Sequence, residues 1–134
     1  MSNEEKVQHW ITLSDYDLDT AEAMLITKRY LYVAFTCQQA TEKMFKAYYV
    51  KIKNEEPIYT HDLLRLAEKS GFFDLLTDEQ QQFANTLNTY YIETRYQEYK
   101  SNVAKTLTYD RCVELLKQTK SIHQWIKEKI LSIK

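Results

Sequence analysis

The chain has 134 residues, enough to form one domain with its own hydrophobic core. A single glycine and a single proline argue against a many-stranded sheet, because tight hairpins need residues that tolerate positive φ angles. The formal net charge of −1 excludes an overall basic field that would attract nucleic acid, and no apolar run approaches the roughly 20 residues needed to cross a bilayer.

A first amphipathic helix is predicted from about Glu5 to Lys28. Apolar residues recur there at the 3.6-residue period that defines one face of a helix. Asp17 lies within that face, where an unpaired carboxylate is costly to bury. We therefore expect Asp17 to pair with a cation or a hydrogen-bond donor. The apolar face consists of Val7, Trp10, Leu13, Leu18, Ala21, Met24 and Leu25.

A second helix is predicted from about Tyr30 to Lys51, and it carries two distinct faces. One face is apolar and suited to the core. The opposite face mixes long polar side chains with aromatic rings. That mixture suits either a surface for a partner or ligand, or an ordinary exposed face with Glu42 and Lys46 as an i,i+4 ion pair. The apolar face holds Val33, Cys37, Ala40, Met44, Ala47 and Tyr48, and the mixed face holds Phe35, Gln38, Gln39, Glu42, Lys46 and Tyr49, with Lys43 at its edge.

A short third helix is predicted between two turn signals. Pro57 prevents the second helix from continuing. Thr60 is the predicted N-cap, so the helix would begin at His61, with Asp62 in the first turn where the helix dipole favours a carboxylate. Gly71 is suited to the left-handed conformation that ends a helix, and we expect the third helix to stop there.

A fourth helix is predicted to begin at Thr77 and Gln80, which form a capping box in which each side chain can bond the other residue's backbone N–H. Periodicity fails over residues 95–102, which we interpret as a loop that follows this helix. The helix therefore extends to about residue 94. Its apolar face includes Phe83, Ala84, Leu87, Tyr90, Tyr91 and Thr94.

A last amphipathic helix is predicted from about Tyr109 to Ile133, with an apolar stripe at the helical period. Four long helices and one short helix indicate an antiparallel up-and-down bundle, since short connections favour antiparallel neighbours. We therefore predict a single all-α domain over residues 1–134.

Both cysteines, Cys37 and Cys112, fall on the apolar stripes of predicted helices. Free cysteine packs as a small apolar side chain, and two cysteines do not make a disulfide framework. The polar N-terminus lacks the apolar core of a signal peptide. We expect buried free thiols in a cytoplasmic protein that makes no contact with a membrane.

The three histidines give no sign of a metal site. His9, His61 and His123 lie on separate predicted elements, and none has a His or Cys ligand partner one helical turn away. The single glycine also excludes a phosphate-binding glycine loop. We predict neither a bound metal nor a cofactor.

Three short patterns occur in order along the chain, each associated with a different predicted helix. They are Gln39-x-x-Glu42-Lys43 on the second helix, His61-Asp62-Leu63 at the third, and Arg95-Tyr96 after the fourth. In this order they resemble the HEPN domain family (higher eukaryotes and prokaryotes nucleotide-binding), and the resemblance covers nearly the whole chain. It implies an antiparallel bundle that dimerises through its second and fourth helices. It also implies a bacterial or archaeal operon that pairs the chain with a small nucleotidyltransferase, often as a toxin–antitoxin system.

Many members of that family are metal-independent ribonucleases with an Arg-x4–6-His motif, and this chain departs from the motif. None of its arginines has a histidine at the required distance downstream, and the positions five to seven residues after Arg95 hold Lys100, Ser101 and Asn102. A metal-free ribonuclease needs a proton acceptor or donor that works near neutral pH, which histidine supplies and tyrosine or lysine supplies poorly. We therefore predict no catalytic residue.

The leading hypothesis is a non-catalytic HEPN-type module that forms a homodimer and binds a nucleotide, RNA or a small nucleotidyltransferase. Two alternatives stay open: a metal-independent ribonuclease toxin that uses Arg95 with a nonstandard base, and a purely structural dimer. The lysines of the site need neutralising either by Asp17 and Glu42 or by a bound anion. The predicted ligand-binding residues are Gln39, Lys43, Lys46, His61, Arg95 and Tyr96.

Overall fold

The computed structural model describes residues 1–91, 102 and 104–133, and over these ranges the protein is helical with no strand. The all-α class predicted from the sequence is confirmed. In chain order the elements are α1 (Asn3–Ile26), α2 (Tyr30–Lys53), α3 (Leu63–Ser70), a 3₁₀ turn (Phe73–Leu75), α4 (Asp78–Asn88) and α5 (Tyr109–Ser132).

Helix α2 is the centre of the bundle and contacts α1, α3, α4 and α5. Residues 27–29 connect α1 to α2, and so short a link makes these two 24-residue helices antiparallel neighbours. The thiol of Cys112 near the start of α5 lies 3.7 Å from the carbonyl oxygen of Tyr30 at the start of α2. Helix α5 therefore begins beside the start of α2 and runs in the same direction.

Helix α1 begins two residues earlier than predicted because Ser2 and Glu5 form a capping box. The Ser2 hydroxyl accepts from the Glu5 backbone N–H at 3.1 Å, and the Glu5 carboxylate accepts from the Ser2 backbone N–H at 3.1 Å. The helix ends at Ile26 rather than at Lys28, since Lys28 adopts a positive φ of 62° that a right-handed helix does not permit. Helix α2 extends two residues beyond the predicted end, to Lys53.

Helix α3 begins at Leu63, so the predicted N-cap at Thr60 is wrong. Asp62 is the cap, and its carboxylate accepts the backbone N–H groups of Leu64 and Arg65. The Thr60 hydroxyl instead accepts the backbone N–H of Asp62 at 3.1 Å and shapes the turn before the helix. His61 consequently precedes the helix and lies in the segment that connects α2 to α3. The predicted end is confirmed, because Gly71 is the C-cap with a φ of 86°.

Helix α4 starts with the predicted capping box of Thr77 and Gln80 but ends at Asn88, well before the predicted Thr94. The Asn88 side chain bonds the start of α3 instead: its amide donates to the Asp62 carboxylate at 2.9 Å, and its oxygen accepts the Leu63 backbone N–H at 3.0 Å. Tyr90 and Tyr91 lie just beyond the helix. Residues 92–101, which include Thr94 and most of the predicted loop, lie outside the described residues, whereas Asn102 is helical and corrects the predicted loop end.

Aromatic rings and both cysteines fill the core between these helices. Phe72 packs edge-to-face against Phe45 and Tyr48, with ring centroids 4.7 Å apart in each pair. Cys37 and Cys112 are fully buried and carry free thiols, as predicted. Across the described ranges, no helix combines the length and the apolar character that crossing a membrane requires.

Candidate functional site

A buried carboxylate on the mixed face of α2 organises the candidate site. Glu42 is only 2% exposed, and both of its oxygens accept hydrogen bonds. Oε2 accepts from Nζ of Lys46 at 3.0 Å, and Oε1 accepts from Nε2 of Gln38 at 3.2 Å and from Nδ1 of His61 at 2.9 Å. We call Gln38, Gln39, Glu42, Lys46 and His61 the Glu42 cluster. Its carboxylate has the cation and donors that a buried charge needs.

Gln38 ties the segment before α3 to α2. Its side chain is fully buried, and its amide nitrogen donates to the backbone oxygen of His61 at 3.2 Å as well as to Glu42. Its amide oxygen accepts from Nε2 of Gln39 at 2.7 Å. Both hydrogens and the oxygen of this amide are therefore engaged, which holds the backbone of His61 in place relative to Glu42.

The hydrogen bond to Glu42 decides which nitrogen of His61 carries the proton. Because Oε1 of Glu42 also accepts from Gln38, it acts as an acceptor, and Nδ1 of His61 is the donor. The imidazole stacks on Tyr91, with centroids 4.0 Å apart and an interplanar angle of 16°, and Tyr59 meets its edge at 5.7 Å. About a third of the His61 side chain (32%) stays exposed. The cluster therefore reaches the surface through this ring.

The two lysines of the predicted site are each paired with a carboxylate. Lys46 is 11% exposed, bonds Glu42, and places Nζ 5.3 Å from the centroid of the Trp10 ring, a cation–π distance. Lys43 forms a salt bridge with Asp17 of α1. The partner expected for Asp17 is therefore Lys43, and of the two arrangements considered for the lysines, the structure has the one in which carboxylates neutralise them.

Three of the six predicted ligand residues meet in the Glu42 cluster: Gln39, Lys46 and His61. Lys43 lies one residue along α2 from Glu42 but is directed to Asp17. Arg95 and Tyr96 lie outside the described residues.

The predicted ligand-binding residues did not include Gln38, Glu42, Tyr59 or Tyr91. For Gln38 a signal existed, because it stands one helical turn before Glu42 on the mixed face. The two tyrosines approach His61 from a loop and from beyond α4, and no helical period connects them to it.

A second charged contact joins α1 to α5 away from the cluster. Nε2 of His123 lies 2.9 Å from Oδ1 of Asp15, and Nζ of Lys127 lies 3.3 Å from the same oxygen. The His123 contact lacks hydrogen-bond geometry. Burial lowers the pKa of His123 below its ordinary value of 6.5, with Asp15 opposing the shift and Lys127 adding to it. Burial therefore favours the neutral form of this side chain in the folded protein.

An apolar groove opens where α1 ends and α2 begins, with a cavity volume of about 560 Å³. Met24, Tyr32 and Phe35 supply most of its apolar lining, and Tyr32 is 45% exposed. Phe35 also packs on Tyr91, with centroids 6.1 Å apart, so the groove adjoins the aromatic edge of the Glu42 cluster. Among the residues that the structure describes, no group of three His, Cys, Asp or Glu side chains is arranged to hold a metal ion.

Comparison with known proteins agrees with this architecture. The structure resembles the crystal structure of TT1696 from Thermus thermophilus with a TM-score of 0.78 and 22% sequence identity, covering 92% of this chain and 98% of that one. It also resembles the crystal structure of ST0689, an archaeal HEPN homologue, with a TM-score of 0.69 and 24% identity, covering 92% and 97% of the two chains. No curated protein sequence matches the chain.

These two likenesses, at low sequence identity, establish the shared fold. Membership of a family rests on the sequence itself. The sequence pattern of the HEPN domain matches residues 7–130, which is nearly the whole chain and includes every helix that contributes to the Glu42 cluster. The chain therefore belongs to the HEPN domain family.

Proposed function

We propose that the chain is a non-catalytic HEPN-type module that forms a homodimer and binds a nucleotide or RNA at the Glu42 cluster. The observation that carries this proposal is the fixed polar network around one buried carboxylate, which opens to solvent through the His61 ring. Side chains locked by hydrogen bonds lose little freedom when a ligand arrives, which favours binding. The proposal keeps a small nucleotidyltransferase as the partner in a bacterial toxin–antitoxin-like system.

Aromatic rings around the cluster support a nucleotide ligand in particular. Tyr59 is exposed over 92% of its surface beside His61, and Trp10 lies beneath Lys46 on the other side of Glu42. Bases stack on such rings without sequence preference. Arg95 and Tyr96 complete the proposed site through their place in the family pattern.

The apolar groove between α1 and α2 supports the homodimer. A large tyrosine that is 45% exposed in an apolar groove suits contact with another apolar surface better than contact with water. A second copy of this chain is the occupant that we propose, so that the groove contributes to the dimer interface.

The ribonuclease alternative is favoured by one observation, the pairing of His61 with Glu42. A carboxylate that holds an imidazole through Nδ1 is the arrangement that orients a general base. His61 thus supplies, from another part of the chain, the residue type that the missing Arg-x4–6-His motif would have supplied. The proposed non-catalytic module instead leaves RNA intact, and incubation with single-stranded RNA or tRNA distinguishes the two functions. Cleavage that disappears in Arg95→Ala, with folding retained, would establish the ribonuclease.

Titration calorimetry at low salt tests the proposed binding. We expect heat of binding with ATP and with a short single-stranded RNA. Because Lys43 and Lys46 are neutralised, the plot of log affinity against log salt should have a slope of about −1 or shallower, whereas two lysines on phosphates would add about −0.7 each on single strands. An exposed lysine outside the cluster should not contribute to binding. Lys117→Ala on α5 should therefore bind like the wild type. Absence of heat with both ligands would leave the purely structural dimer as the better account.

A further inference from the structure

The Glu42 cluster presents a hydrogen-bond acceptor to its ligand, because the nitrogen of His61 that donates to Glu42 is Nδ1. With Nδ1 donating to Glu42, the matching imidazole tautomer has its lone pair on Nε2. Within the described part of the chain, Nε2 has no hydrogen-bond partner, and the side chain is 32% exposed. Whatever group meets this nitrogen must therefore donate a hydrogen bond.

An ionised phosphate does not meet that requirement, because its oxygens are acceptors. The cations nearby do not compensate, since Lys46 is engaged by Glu42 and Lys43 by Asp17. Gln39 adds a neutral amide to the same hydrogen-bond network, with one hydrogen given to Gln38. The described part of the site thus combines a lone pair with an amide and has no unpaired charge. A hydroxyl group, which both donates and accepts, fits that combination.

We propose that Nε2 of His61 accepts a hydrogen bond from the ribose 2′-hydroxyl of the bound nucleotide and so selects ribose over deoxyribose. The inference rests on the proposed function, because it names which part of a nucleotide the cluster recognises. The 2′-hydroxyl is the group that distinguishes RNA from DNA. Its oxygen remains available to accept from the Gln39 amide while its hydrogen points to His61.

Binding of matched nucleotides to the wild-type protein tests this inference without any substitution. ATP should bind about tenfold more tightly than 2′-deoxy-ATP, the ratio expected for one net hydrogen bond. ATP and 3′-deoxy-ATP should bind alike. Inosine triphosphate lacks the exocyclic amino group of adenine and should also bind like ATP, because the base does not supply the donor.

The variant His61→Asn removes the acceptor while preserving the bond to Glu42. The asparagine amide can occupy the position of Nδ1 and donate to Glu42, but it has no atom at the position of Nε2. The ratio between ATP and 2′-deoxy-ATP should fall to about one in this variant. His9 is exposed on α1, and the control His9→Asn should keep the wild-type ratio.

The outcomes of these experiments distinguish failure of the ribose contact from failure of the proposed function. Equal binding of ATP and 2′-deoxy-ATP to the wild type would overturn the ribose contact and leave the proposed function standing. Two other results would also overturn it. If inosine triphosphate were the one analogue that bound weakly, the donor would be the amino group of the base. If 3′-deoxy-ATP were the one that bound weakly, the donor would be the 3′-hydroxyl. Absence of binding by every nucleotide and by short RNA would overturn the proposed function and this inference together.

Discussion

Lys46 and Glu42 lie one helical turn apart on α2, with Nζ 3.0 Å from Oε2, and their side chains are only 11% and 3% exposed. An exposed pair at this spacing contributes tenths of a kcal/mol. The buried pair differs, because removing one partner leaves the other charge without water or a counterion. Glu42 also holds His61 and Gln38, so three donors depend on this single carboxylate.

Substitution of Glu42 should therefore destabilise the fold strongly. We expect Glu42→Ala to lower the free energy of unfolding by about 3 kcal/mol or more, since Lys46 becomes an unpaired buried cation. Urea denaturation measures the change. Glu114 on α5 is exposed and, among the residues that the structure describes, bonds only Gln118, so the control Glu114→Ala should stay within about 0.5 kcal/mol of the wild type. A Glu42→Ala protein as stable as that control would show that the cluster is not a structural anchor.

The homodimer can be tested by light scattering at tens of micromolar. The wild type should have twice the monomer mass of 16.1 kDa. Tyr32→Glu should shift it toward the monomer, because a charge in the apolar groove opposes its burial at an interface. Tyr16 on α1 is 71% exposed, and Tyr16→Glu serves as the matched control that should remain dimeric. A wild-type mass near 16.1 kDa would contradict the dimer. A Tyr32→Glu protein that remained dimeric would show that the interface does not include the apolar groove.

Stability should fall in mild acid because of His123. Burial lowers the pKa of this residue in the folded state below 6.5, so the unfolded chain binds its proton more readily. The stabilisation that comes from burying neutral His123 is complete above pH 6.5. It decreases as the pH falls from there through the pKa of His123 in the folded protein. The urea midpoint should therefore drop between about pH 7.5 and about pH 5, and the drop should shrink in His123→Gln. The exposed His9 gives the control, and a drop equally large in His123→Gln and His9→Gln would assign the effect to other groups.

Both thiols should be unreactive while the protein is folded. Burial raises the pKa of Cys37 to about 12 and that of Cys112 to about 11, so neither forms the thiolate that attacks a disulfide reagent. An aromatic disulfide added at mildly alkaline pH should react slowly with native protein and rapidly with both cysteines in denaturant. Rapid reaction of one thiol in the native state would show that α2 or α5 opens locally.

The helices were predictable because their apolar periods and caps are local signals. The capping box at Thr77 and Gln80 and the C-cap at Gly71 follow directly from residue type. The end of α4 does not follow from residue type. Asn88 stops that helix by bonding Asp62 and Leu63, which are far from it in the chain. The choice of Asp62 over Thr60 as the cap of α3 depends on the same contact.

The candidate site was predictable only in its composition. The helical period and the family pattern identify Gln39, Lys46 and His61 as candidate ligand-binding residues. They do not reveal that Glu42 is buried. That burial reverses the expected electrostatics, because a carboxylate inside the bundle takes the lysine that a phosphate would have used. The pairing of Lys43 with Asp17 depends on how α1 packs against α2, which one sequence does not specify.

The histidine side-chain resonances can show whether the proposed nucleotide site is centred on His61. The chain has three histidines, of which His9 and His123 lie on other elements and act as internal references. Titration of isotope-labelled protein with ATP at low salt and neutral pH, followed by imidazole NMR, should shift the His61 signals saturably. The His9 and His123 signals should stay in place. Unchanged His61 signals at saturating ATP, or equal shifts in all three histidines, would contradict a nucleotide site at His61.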